Sequence, residues 1–246
     1  MGAIVMIKNR FVIYSAGYNC SKYVKRCMNS IQSQKYTDYI HIIVDDASID
    51  ETYNTIVQNR DPNTVVFKAS ENVGWLANSM KYLCYNLNDI IMLVDLDDFL
   101  PHNNVLNMIN KVYNIYNCWL TYGSFLWLGK NINEGTAYPD SVIKNKTFRE
   151  YDWRGVHPQT FKGFLWSNIK KEDLQDNDGN YLMSAYDVAI MHPMLEMSPP
   201  DKIKFIGETL YVYDNTNPLN IGKMRKHEQI NNEKLIRSKQ KYEELI

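Results

Sequence analysis

The sequence holds no apolar run approaching the ~18 residues of a membrane span, so no spanning helix is expected. The apolar stretch in MGAIVMIKNR is too short for a signal core and lacks a small-residue cleavage site. Cysteine is scarce. Cys20, Cys27, Cys84 and Cys118 form no CxxC pair, which argues against a zinc ribbon and against a disulfide framework. Reduced thiols in a cytoplasmic protein are the expectation, and the glycosylation sequons at Asn19 and Asn145 carry no weight without a leader. Charge of one sign is also missing. A net charge of -1 argues against a nucleic-acid surface or an anionic-membrane surface. Neither an internal repeat nor a low-complexity segment is found. What remains is 246 residues, 45% hydrophobic and 13% aromatic, enough for one large α/β domain or two small ones.

Apolar runs and helical spacings alternate over the first hundred residues. Strands are expected at Phe11–Ser15, Ile40–Val44, Thr64–Lys68 and Ile90–Val94. Helices are expected at Ser21–Gln34, Asp50–Asn59 and Asn72–Leu87. This alternation predicts a doubly wound, mostly parallel sheet flanked by helices, with ligands bound beyond the carboxyl ends of the strands. Three polar strand ends fall on that edge: the SAGYN turn, Asp45-Asp46, and the cluster Asp95, Asp97, Asp98. In an extended backbone Asp95 and Asp97 point to one side and Leu96 to the other. Two carboxylates so close repel unless a cation or donor lies between them. A divalent metal carrying phosphate oxygens fits, because oxygen ligands suit magnesium and manganese. An acidic turn before Pro101 is the plainer reading of the same residues.

The second half is less regular. A helix is expected near Asn103–Tyr116, a strand over Trp119–Leu128, and a long polar loop over Asn131–Asp152. Helices are expected over Phe161–Ile169 and Ser184–Glu196, two short strands at Lys204–Ile206 and Leu210–Tyr213, and a charged helical tail from Arg225. DNDGN at Asp176–Asn180 has part of a calcium-loop pattern but no glutamate in the later position, and reads as a turn.

Taken in order, these motifs resemble nucleotide-sugar glycosyltransferases of the GT-A fold, of the inverting family 2 type. VIYSAGYNCSKYVKRCMNSIQSQ resembles the family's first strand, nucleotide loop and helix. IIVDDASIDET resembles its DDxSxDxT segment, ENVGWLANS its N-x-G…N segment, and VDLDDFLP its aspartate-rich metal motif. DVAIMHPMLEM and FIGETLYVYDNTNPLN resemble the acceptor half of a subgroup found in bacteria and large DNA viruses. HPQTFK resembles a loop of that subgroup, with Gln159 where an arginine is expected. The match runs roughly from Phe11 to Tyr213. It implies a single GT-A domain over 1–246, with a Rossmann-like nucleotide half at about 9–100, a smaller acceptor half at about 101–224, and a helical tail at 225–246. For a viral source it implies host cytoplasm or virion.

The resemblance also implies roles. Asp46 accepts from the base N3–H, and Ser15 and Ala16 frame the base through their backbone; for Asp46 a helix cap or turn is the alternative. Asn72 and Asn78 hold ribose or sugar, with helix capping an equal reading for Asn72. Asp97 ligates Mn2+ or Mg2+; Asp95 reaches ribose, sugar or the same metal; Asp98 braces the loop. His227 supplies a third ligand or is a solvated helix residue. Asp187 is the base that takes the acceptor proton, or the partner of Ser184 in a capping box. His192 is assigned to packing. Trp153, Arg154 and His157 belong to the acceptor or diphosphate region, or are structural. The implied partners are a nucleoside diphosphate sugar, UDP-sugar favoured, and a glycan acceptor.

Two enzyme alternatives are disfavoured. A sugar nucleotidylyltransferase usually carries a glycine-rich basic loop after its first strand, and SAGYNCSKY has one glycine and no early arginine. A processive synthase needs membrane helices and a QxxRW segment, both absent. A catalytically inactive GT-A domain that binds sugars or partners stays open.

Overall fold

The computed structural model describes residues 7–130 and 132–246, without the side chain of Ile221. The apolar N-terminal run up to Met6 and the first residue of the expected polar loop, Asn131, lie outside the described residues.

Four parallel strands build the N-terminal half: β1 (Phe11–Gly17), β2 (Tyr39–Asp45), β3 (Thr64–Lys68) and β4 (Ile90–Leu93). They stand in the order β3-β2-β1-β4, with Phe11 opposite both Tyr39 and Ile90. The helices between them are α1 (Val24–Gln32), α2 (Thr52–Asn59) and α3 (Gly74–Tyr82). Both faces of the sheet are covered, which is why the strands read as unbroken apolar runs. Alternate residues serve opposite cores. Val12 and Tyr14 of β1, with Ile91 and Leu93 of β4, join the core under α3. Phe11 and Ile13, with Ile90 and Met92, join the core under α1 and α4 (Val105–Tyr116). In α1 the buried residues are Val24, Cys27, Met28 and Ile31, one stripe at helical spacing.

The sheet continues into the C-terminal half through β7 (Thr160–Lys162), which pairs antiparallel with both β4 and β5 (Leu120–Trp127). β5 then pairs with the two-residue β6 (Asn133–Glu134) and, in parallel, with β8 (Ile203–Tyr213). The result is one eight-stranded, mostly parallel sheet. α6 (Gly163–Ser167), α7 (Tyr186–Met197) and α9 (Lys226–Ser238) lie on the α3 side; α5 (Asp140–Asn145) and the short α8 (Ile221–Met224) complete the elements.

Three expectations for the second half need correction. The helix expected over Phe161–Ile169 begins as β7, because Phe161 completes the ladder between β4 and β5, and helix starts only at Gly163. The polar loop over 131–152 contains α5 and a 3-10 turn at Phe148–Glu150, anchored by buried Val142 and Phe148. The two short strands before Tyr213 are one strand, kept continuous by register shifts opposite Tyr122, Ser124 and Phe125.

Candidate active site

The chain leaves β4 straight into Asp95–Asp98, and each carboxylate there has a different partner. Asp98 is buried: Oδ2 accepts from the Tyr211 hydroxyl at 2.7 Å, and Oδ1 from the Asp214 amide at 2.7 Å. It braces the loop, as expected. The Asp95 amide donates to that same Tyr211 oxygen at 3.1 Å. Paired backbone hydrogen bonds between Phe99 and Val212 fasten the loop to β8. Arg26 of α1 closes the other side. Its guanidinium donates to the Asp97 carbonyl at 3.0 Å, pairs with Asp214, and lies 4.3 Å from the centre of the Phe99 ring.

Asp95 and Asp97 remain half-buried on the open side. Asp97 Oδ2 accepts one bond, from the Asn217 amide at 3.0 Å. Both oxygens of Asp95 accept from the Tyr186 hydroxyl. Burial pushes Asp95 up to about 6, against the pull of that hydroxyl. Burial, then the charge of Asp95, pushes Asp97 up to about 6. Among the described residues, no cationic side chain forms an ion pair with either carboxylate. Two oxygen donors that repel each other are what a hard divalent ion satisfies, and such ions commonly take one or two carboxylates and complete their shell with substrate phosphate and water. The pair fits Mg2+ or Mn2+. His227 does not join it: it is exposed in α9, and no three His, Cys, Asp or Glu side chains form a metal-holding group among the described residues.

At the end of β2, Asp46 is committed to protein donors. Its carboxylate accepts from the amides of Val73 at 3.0 Å and Gly74 at 2.9 Å, and from Asn78 Nδ2 at 2.7 Å. It therefore caps α3 from another element. Asn78 is buried with its Oδ1 unpartnered. Asn72 is exposed and caps nothing. Gly74 has φ +83, and a Cβ there would meet Met183 Sδ at 2.6 Å, so the turn into α3 is built for glycine. Ser15 turns its hydroxyl inward to His41 Nε2 at 2.9 Å, and it and Ala16 sit in the β1–β2 ladder opposite Ile43 and Val44. Asp45 is buried with neither carboxylate oxygen hydrogen-bonded; burial raises its pKa, with nearby Ser48 and Lys68 offsetting part of the shift.

Across from these ends stands α7. Ala185 enters it in the left-handed region at φ 59, and no side chain caps it. The expected capping box is absent: Ser184 Oγ donates to Glu228 at 3.2 Å and accepts from Asn232 at 3.0 Å. Asp187 is half-buried in the first turn, and burial raises its pKa despite the helix N-terminus and the nearby His157. His157 is buried and stacked on Tyr211 at 4.5 Å, and burial holds it at about 4. Gln159 is fully buried and donates to the Gly155 carbonyl at 2.5 Å, so at this position the loop holds itself. Arg154 is spent on the Ala137 carbonyl and the Tyr151 hydroxyl, and Trp153 packs edge-on against buried His192.

The sequence profile described as glycosyl transferase family 2 matches residues 15–166, more than half of the chain. The chain belongs to glycosyl transferase family 2. Escherichia coli chondroitin synthase is 34% identical to the family 2 chain over 96 residues, which is 38% of this chain and 14% of the synthase. S. aureus TarS 1–349 in complex with UDP-GlcNAc superposes with a TM-score of 0.67 at 16% identity, covering 92% of this chain and 65% of that one. Mycobacterium tuberculosis glucosyl-3-phosphoglycerate synthase, in complex with Mn2+, UDP and glucosyl-3-phosphoglycerate, superposes with a TM-score of 0.60 at 11% identity, covering 93% and 80%. The GT-A architecture expected from the motifs is thus the fold of this chain, which spans only a small part of the synthase. Among the described residues no helix is long and apolar enough to cross a membrane.

Arg26, Tyr186, Tyr211 and Asn217 contact the Asp95–Asp98 loop, and no role was expected for them from the sequence.

Proposed function

We propose that this family 2 domain is a metal-dependent, inverting glycosyltransferase that moves a sugar from a nucleoside diphosphate sugar to a hydroxyl of a glycan acceptor. The observation that carries this reading is the half-buried Asp95–Asp97 pair at the carboxyl end of β4, which lacks a cation partner of its own and is braced from α1 and β8. The donor half is about 9–100 and the acceptor half about 101–224. Asp97 and Asp95 would hold Mn2+ or Mg2+, which would supply Lewis-acid stabilisation of the departing diphosphate. His227 is exposed on α9 and is left outside this two-carboxylate set. The backbone of Ser15 and Ala16, with Asn72, Asn78 and the turn that Asp46 fixes, receives the nucleotide and its sugar. Relatives in complex with UDP-GlcNAc, and with UDP and Mn2+, favour a UDP-sugar donor.

Asp187 is the base. As the acceptor oxygen bonds to the anomeric carbon from one face, its proton passes to the Asp187 carboxylate. The nucleoside diphosphate leaves from the other face with the electron pair of the broken bond. Burial raises the pKa of Asp187, which makes its carboxylate a better proton acceptor.

Calorimetry with UDP and Mn2+ tests the donor site. The parent should bind UDP in a Mn2+-dependent way, and Asp97→Ala should lose that dependence. An Asp97→Ala protein that binds like the parent refutes the ligand assignment, and a parent that binds nothing favours an inactive sugar- or partner-binding domain.

A further inference from the structure

The Tyr186 hydroxyl lies 2.6 Å from Asp95 Oδ1 and 2.5 Å from Oδ2. A phenol has one proton to give, so the bond is shared, and the hydroxyl sits on the face between the two oxygens. The ring is clamped behind this contact. The Trp75 indole stacks on it at 4.6 Å and 6° from parallel, and Tyr14 meets Trp75 edge-on at 4.9 Å. Trp75 follows Gly74, whose amide is fixed by Asp46. A side chain of the acceptor-side helix is therefore held by donor-side elements, one residue before Asp187.

We propose that Tyr186 is a positioning residue: its hydroxyl orients the Asp95 carboxylate for the metal diphosphate, and the same contact registers the first turn of α7, and with it Asp187, against the donor edge. This rests on the donor-site reading above. A half-buried carboxylate beside a second one would otherwise turn away from its neighbour's charge. A short, charge-assisted bond from a ring stacked in one orientation prevents that, while the Asp95 amide is held separately by Tyr211. Bonds of this kind to a ligand carboxylate tune metal affinity, and their loss costs about 10–100-fold.

Tyr186→Phe removes the hydroxyl and keeps the ring on Trp75. Binding of UDP with and without Mn2+ is measured by calorimetry on the parent, Tyr186→Phe and Asp97→Ala. The Phe variant should bind UDP in Mn2+ about 10–100-fold more weakly than the parent, with binding in the absence of metal unchanged. A folded Phe variant that binds UDP and Mn2+ as tightly as the parent, or more tightly, overturns the assignment. If Tyr186→Phe does not fold, Trp75→Leu keeps the hydroxyl and removes its backing; weaker metal-dependent binding then supports the clamp and parental binding refutes it. A parent without Mn2+-dependent UDP binding refutes the donor-site reading instead, a different result from a parent that binds and a Phe variant that matches it.

Discussion

Among the described residues Asp187 enters α7 without a hydrogen bond to any other side chain, whereas Glu196, another carboxylate of the same helix, is locked to Arg149 by two hydrogen bonds in full burial. Asp98 is likewise consumed by Tyr211 and Asp214. That leaves Asp187 as the carboxylate on α7 free to take a proton. Asp187→Asn preserves shape, and with no capping box to lose it should leave melting and UDP binding unchanged. Transfer should fall by about 10²–10⁴-fold. A well-folded Asn variant with parental turnover moves the base elsewhere. Asp95 and Asp97 stood out in the sequence because they follow an unbroken apolar strand, whereas Asp187 was singled out by the family resemblance alone. Tyr186, Tyr211 and Asn217 were not, because their meaning lies in partners 91 to 120 residues away.

α3 starts without a cap of its own, and Asp46 at the end of β2 supplies one. A strand end that orders the next helix on the same face is the reason two motifs distant in sequence meet at one edge. Asp46→Ala should cost about 2 kcal/mol or more, since it strips the first turn of α3 and leaves the buried Asn78 amide short of an acceptor. Denaturant melting measures this, and unchanged stability would confine Asp46 to ligand contact. The alternation of β1 to β4 with α1 to α3 could be read directly, because both faces of those strands are covered and the runs are apolar throughout. β7 could not. Three residues carry no periodicity, and Phe161 is as consistent with a buried helix as with a strand until β4 and β5 flank it.

Across the molecule, His41, His157 and His192 are buried as neutral rings. Among the described residues neither nitrogen of His192 has a partner, and burial, with Arg149 and Arg237 adding to it, pushes its pKa down to about 3. In the unfolded chain a histidine takes its proton near pH 6.5. The unfolded state therefore binds more protons, and the stability that neutral His192 contributes is complete above about pH 6.5 and lost as pH falls toward about 3. His192→Phe keeps an aromatic ring against Trp153 and removes that proton. Relative to the parent, its stability should rise by about 1.4 kcal/mol per pH unit on acidification between about pH 6 and 4. Chemical denaturation at a series of pH values measures the slope, and parallel curves would place the acid sensitivity elsewhere.

β7 has a mechanical consequence. Because this short strand hydrogen-bonds to β4 on one side and β5 on the other, the N-terminal and C-terminal halves share a single sheet. They cannot swing apart like two jaws without tearing a ladder. Any opening of the candidate site is therefore left to its rim, where the chain between Asp214 and Arg225 holds Asn217 against Asp97.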